Sequence, residues 1–225
     1  MHQPTTATPL DLPELEPGLT LLERPSTRSP ALHRLVVDEL AASEGQTLWI
    51  DAGRDASSYG LYEHAPADRQ LEGLTLARAF TAYQHATLVE RVVRRATSRT
   101  ALVVVPCTGA LYRDDDVHEE VSTDLLTASL VHLRELAGAL EIPVIVTTPG
   151  TTSTASLLAD HADHTIASRQ TDAGLRFEGD GYETTVYWQD GAWQTTIPYW
   201  VELFGCVCDG EPASVAGPAP PTIEG

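Results

Sequence analysis

Between Gly18 and Leu35 the chain reads as strand, turn and helix, the order in which nucleotide-binding proteins carry a phosphate cradle. Such a cradle works because glycines let backbone N–H groups close on phosphate. A lysine reaches the terminal phosphates and a Ser or Thr hydroxyl holds Mg²⁺. The loop from Glu23 to Pro30 (Glu-Arg-Pro-Ser-Thr-Arg-Ser-Pro) contains no glycine. No lysine occurs anywhere in the 225 residues, so all 14 basic residues are arginine. The segment is expected to keep the shape of a phosphate loop without its chemistry.

Other chemistry-bearing groups are weaker signals. His161-x-x-His164, with Asp160 and Asp163, has a spacing that suits a metal, but it falls at a helix-to-strand turn and reads as a solvated turn. Cys206-x-Cys208 lacks the two-residue spacer of common zinc and redox pairs. Cys107 follows an apolar strand and reads as a small core residue. Asp114, Asp115 and Asp116 with Glu119 and Glu120 form an acidic run, read as solvated rather than ion-binding. Arg91, Arg94, Arg95 and Arg99 close one helix, where cations offset the helix dipole, and Arg91 and Arg95 share a face. Trp188, Trp193, Tyr199 and Trp200 cluster late in the chain and are expected to cover a sheet. No Ser/His/Asp arrangement stands out, and neither a cofactor nor a metal is expected.

The elements that would position these groups alternate. Strands are expected at 19–22, 47–51, 74–77, 101–105 and 143–147, with helices at 30–42, 82–97 and 123–140. Ser122 or Thr123 is the expected cap of the last helix. The run Ala101-Leu102-Val103-Val104-Val105 suits a strand buried on both faces. A polar loop with Gly53, Gly60 and Pro66 follows the second strand, and 150–156 is read as mobile. The apolar period then changes to two, giving antiparallel strands at 165–168, 175–178, 184–188 and 193–197. Asp180-Gly181 and Asp190-Gly191 are their hairpin turns. Residues 1–17 are read as a flexible lead-in, 18–205 as one core domain and 206–225 as a disordered Pro-rich tail. The fold class is therefore α/β, with a mostly parallel central sheet and C-terminal antiparallel strands.

Composition narrows the setting. A net charge of −18, with no Lys and no Asn, argues against non-specific attraction to nucleic acid and is read as adaptation to high salt. No segment reaches the roughly 18 apolar residues of a membrane span. No signal peptide is expected at Met1–Thr6, and three cysteines are too few for a disulfide framework. A cytoplasmic protein is expected.

Four blocks, in order, resemble the catalytic core of the RadA/RecA recombinase family, nearest its archaeal branch. Leu74-Thr75-Leu76-Ala77-Arg78-Ala79-Phe80, with Gln84-His85 and Leu88-Val89-Glu90, resembles the family's strand-to-helix block. Leu102–Val105 resembles its Walker B strand, Ile142–Thr147 the strand before the second DNA-binding loop, and His164-Thr165 onward its terminal hairpins. The resemblance spans roughly Gly18 to Phe204 and implies a RecA-like three-layer core.

The departures from the family pattern are systematic. Ser29 falls at the Walker A lysine, and Pro30 replaces the Mg²⁺-binding hydroxyl. Pro106 stands where the Walker B aspartate should be. The catalytic glutamate would align near Gly53, and Pro149 replaces a glutamine that senses the γ-phosphate. Phosphoryl transfer depends on positioning and electrostatic stabilisation by these groups together, so the resemblance implies a degenerate ATPase, not an enzyme. Arg113 matches a basic residue of the family's first DNA-binding loop, but its acidic neighbours argue against direct DNA binding. Ala77, Ala79 and Phe80 match the surface on which family members receive an aromatic-x-x-Ala segment. The lead-in Leu10–Leu15 carries no such segment of its own. The resemblance thus implies a protein that contacts a recombinase or recombinase paralog in recombination and repair, with homo-oligomerisation also open. A RecA-fold scaffold unconnected with DNA is the alternative.

Overall fold

Strand β4 (Thr100–Val105) shows how the molecule is built, because its side chains divide between two cores. Val103 and Val105 enter one apolar cluster, Leu102 and Val104 another, as the twofold period of a strand requires. The same division runs through β1 (Gly18–Arg24), β2 (Gln46–Asp51) and β5 (Pro143–Pro149). A sheet buried on both faces needs helices on both, and α1 (Ala31–Ala42) with α2 (Ser58–His64) covers one. On the other lie α3 (Ala82–Arg95), α4 (Glu119–Leu140) and α5 (Ala155–His161). The fold is a three-layer α/β core.

The computed structural model describes residues 12–52, 58–65, 71–113, 118–149, 153–171, 174–179, 182–189 and 192–195. Its contacts divide the chain into Met1–Thr195 and Thr196–Gly225, the second lying outside the described residues together with Cys206 and Cys208. The sheet order is β3-β2-β4-β5-β1-β6-β7-β8-β9, where β3 is Leu74–Arg78, β6 His164–Thr171, β7 Gly174–Gly179, β8 Tyr182–Gln189 and β9 Ala192–Thr195. From β3 to β6 neighbouring strands pair in parallel, and from β6 to β9 they pair antiparallel. Register ends at Gly179↔Tyr182 and Gln189↔Ala192, so each late hairpin closes over two residues. Those residues, Asp180-Gly181 and Asp190-Gly191, lie outside the described set. No described helix is long and apolar enough to cross a membrane.

Several elements differ from the sequence reading, among them β6, which runs on to Thr171 where the reading ended at Ser168, and α5, which begins at Ala155 inside the stretch 150–156 read as mobile. β1 continues past its apolar run to Glu23 and Arg24, because β5 pairs with it as far as Arg24↔Pro149. α2 forms within the stretch read as a polar loop, and its Leu61 is buried in the α1 core. α4 begins a turn early, at Glu119. Its N-cap is His118, without a side-chain bond, and Glu119 and Glu120 in the first turn suit the positive end of the helix dipole.

Residues 12–17 of the lead-in run alongside the core, with Leu12 and Leu15 packed against the cluster around α1. This second cover explains why α1 is buried nearly all round.

Candidate functional site

In an open parallel sheet, ligands bind beyond the carboxyl ends of strands at a topological switch point, where helices leave neighbouring strands toward opposite faces. β1 and β5 are such a pair, since α1 packs on one face and α5 on the other. The crevice between their ends is filled by this chain's own side chain. Arg24, 1% exposed, donates from Nη2 to Thr147 Oγ1 at 3.0 Å and lies 3.8 Å from Cys107 Sγ. Its Nη1 reaches the Thr27 carbonyl at 3.5 Å. Thr147 Oγ1 also accepts from the Cys107 N–H at 2.9 Å, and Thr147 O from Thr108 N–H at 3.2 Å.

The loop from Glu23 to Pro30 is laid out around this arginine. Glu23 and Arg28 are exposed, whereas Ser29 is buried, its N–H donating to Ser26 O at 3.2 Å and its Oγ accepting weakly from Ala31 N–H at 3.4 Å. Pro30 caps α1 in the helical region and supplies no N–H where an anion would need one. After β4, buried Pro106 leads into a turn with Cys107 at φ 52°, a left-handed conformation uncommon for a non-glycine residue. Gly109 in that turn faces Thr154 so closely that a Cβ would collide with its side chain. Gly53 and the side chain of Pro149 lie outside the described residues.

A second switch point lies between β2 and β4, whose helices also take opposite faces. There Asp51, fully buried, accepts from Arg78 Nε at 2.8 Å, and its carbonyl accepts from Ala79 N–H at 2.9 Å. Arg78 comes to Asp51 from the edge strand β3 and, unlike Arg24, is itself exposed.

Arg113 ends a short 3₁₀ turn (Leu111–Arg113) and is exposed; Asp114–Asp116 lie outside the described residues. In the same turn Tyr112 is buried between α3 and α4. Its hydroxyl lies 2.8 Å from His85 Nδ1 and 3.2 Å from Ser129 Oγ, which donates to Leu125 O at 2.8 Å. His85, Tyr112 and Ser129 thus form one buried hydrogen-bonded chain that links α3, this turn and α4. Burial pushes His85 down to about 4 and Tyr112 up to about 12, the Ser129 bond partly opposing the latter. A cleft of about 610 Å³ adjoins this turn, lined by Tyr112, Arg113, His118, Ser122, Ser153 and Leu157 among others.

The histidine pair is used structurally. His161 Nδ1 lies 2.8 Å from Leu157 O, and His164 Nε2 3.3 Å from Pro17 O. Asp163 accepts from Leu19 N–H at 3.0 Å and from Arg134, with Nη2 at 2.6 Å. Burial alone raises the Asp163 pKa, but those partners hold it below the ordinary carboxylate value. Among the described residues no three His, Cys, Asp or Glu side chains gather as a metal group.

Of the expected partner surface, Ala79 is buried, Ala77 half-buried and Phe80 64% exposed. β3 is the sheet's edge and pairs only with β2 among the described strands. Beside it a cleft of about 410 Å³ lies among Phe80, Tyr83, Thr87 and Leu88, with Arg78 and Arg91 also lining it. Sequence reading did not single out Arg24, Thr147 or Tyr83. An arginine set directly after an apolar strand, between Glu23 and Pro25, was the available sign for the first.

No protein-family model matches the sequence, and no curated protein matches it.

Proposed function

We propose that this chain is a non-catalytic paralog of the RadA/RecA recombinase class, acting in the cytoplasm through protein contacts in recombination and DNA repair. It would bind an active recombinase or another paralog and modulate filament assembly. The observation that carries this reading is Arg24: the crevice that would receive a nucleotide's phosphates holds a buried guanidinium bonded to Thr147. The absence of lysine and the proline at position 30 point the same way. An open β3 edge flanked by exposed Phe80 and Tyr83 supplies a surface suited to protein contact.

Affinity capture of the tagged chain from its own cells, in high-salt buffer, tests the reading. Recovery of a recombinase or paralog is the expected result, and adding the chain to that recombinase should change filament length or loading. Recovery only of a complex unrelated to recombination would overturn it in favour of a scaffold on the same fold.

A further inference from the structure

The two ends of the sheet differ in composition. Among the described elements only β4, β5 and β9 carry no charged residue. β4 lies between β2 and β5, and β5 between β4 and β1, so both are hydrogen-bonded along both edges. A charge-free strand suits that place, because helices cover both its faces and strands flank it on either side. β9 has the same composition at the end of the sheet, where it pairs only with β8 among the described strands. The opposite end is different: β3 carries Arg78, which is bonded to Asp51 of its neighbour.

Edge strands are normally guarded against another chain by charges, by proline or by a bulge. Ala192-Trp193-Gln194-Thr195 holds neither charge nor proline, and its register with β8 runs unbroken from Val186↔Thr195 to Gln189↔Ala192. The β8 residues opposite, Val186 to Gln189, are uncharged as well. The outer backbone groups of β9 therefore have nothing in the strand's own sequence to keep another strand away.

Charge narrows what can pair there. With −18 on each chain, two copies repel over most of their surfaces. Like charges opposite each other across strands also destabilise a pair, so identical copies meet most readily at a strand with none. An antiparallel edge complements itself as well: a twofold axis lays the strand on its own copy and closes the assembly at two. We propose that β9 pairs antiparallel with β9 of a second copy, joining two nine-stranded sheets across a twofold axis near Trp193 and Gln194. The contact lies at the other end of the sheet from β3 and is independent of the recombinase reading. Four residues a side supply less contact than a standard interface of about 1,600 Å², so the dimer exchanges with monomer.

Sedimentation velocity of the full chain over a wide concentration range tests this. The mass should rise from that of one chain toward that of two, while amide hydrogen exchange at Ala192–Thr195 slows with concentration. Gln194→Glu and Gln194→Arg, each checked for an unchanged far-UV circular dichroism spectrum, set like charges about the axis. Each should weaken association about ten-fold or more. An equal mixture of the two variants should regain it, because opposite charges then meet, as they do only where residue 194 lies near its own copy. If either variant misfolds, the concentration dependence of exchange in the wild-type chain still decides. A monomer at every concentration overturns the proposal. So does a dimer whose β9 exchange ignores concentration and whose association ignores both charges, because its interface then lies elsewhere. Dimers joined at β9, with capture recovering no recombinase, would leave this inference standing and remove the recombinase reading alone.

Discussion

Arg24 Nη2 and the Cys107 N–H converge on one acceptor, Thr147 Oγ1, at 3.0 and 2.9 Å. That oxygen joins the ends of β1 and β5 to the turn after β4, all of it buried. The carboxyl ends of three neighbouring strands, β1, β5 and β4, are thereby tied to one another.

Thr147→Val removes the shared acceptor and leaves two buried donors without it. The expected cost is about 2–4 kcal/mol, since a buried donor stripped of its partner loses roughly 1–3 kcal/mol. Thr147→Ser keeps the oxygen and should cost about 1 kcal/mol, the value of one buried methyl group. Urea unfolding of both variants decides the matter; equal losses would show that Thr147 serves by packing alone.

The same geometry bears on nucleotide. A ligand at about 100 times its Kd stabilises a fold by about 2.7 kcal/mol. ATP with Mg²⁺ at millimolar concentration is expected to leave the thermal midpoint of the wild-type chain unchanged. A clear upward shift would mean that Arg24 yields the crevice to phosphate.

Acid should weaken the fold through His85. Its pKa is lowered by burial to about 4 in the folded chain, against about 6.5 unfolded. Between those values the unfolded state binds the extra proton, so stability rises with pH and is lost as pH falls from about 6.5 toward 4. At about 1.36 kcal/mol per unit, the loss reaches roughly 3 kcal/mol. Unfolding free energy measured across this window should fall less steeply in His85→Phe than in the wild type. Parallel slopes would place the acid sensitivity in other groups.

Asp163 acts in a lower pH range. Burial raises its pKa, but Leu19 N–H and Arg134 outweigh that and keep the folded value below the unfolded one. Its contribution is present above the unfolded carboxylate pKa and disappears as pH falls through the folded one. Asp163→Asn should cost about 1–2 kcal/mol at neutral pH by weakening the charge-assisted bonds to Leu19 and Arg134. Zinc should not restore the loss, because His161 and His164 are turned to the backbone carbonyls of Leu157 and Pro17.

How far the sequence foretold this depends on which force set each element. β4 was legible because an apolar run is what a two-faced burial demands, and the late strands because their period changes to two. The extension of β1 through Glu23 and Arg24 was not, since it comes from pairing with β5 rather than from local pattern. α2 was hidden by its glycine, Gly60. A side chain there would crowd His33, a Cβ lying 3.2 Å from its ring, so the residue answers to packing rather than to a loop. At the candidate site, the missing lysine and the glycine-free loop were readable from residue types alone. The buried cluster of Arg24, Cys107 and Thr147 was not, because these residues are far apart in sequence and meet only through strand order.

The β3 flank separates a structural residue from one available for contact. Ala79 is 3% exposed and its N–H is bonded to Asp51 O, so Ala79→Trp must force a large ring into packed surroundings. It should destabilise the fold by about 1–3 kcal/mol or more, and any loss of partner binding would be confounded with that damage. Phe80→Ala removes a ring that is 64% exposed, and its stability change should stay within about 0.5 kcal/mol. Urea unfolding of the two variants side by side is the check. If Phe80→Ala proves as costly as Ala79→Trp, the ring is holding α3 to β3, and its exposure would not mark a contact surface.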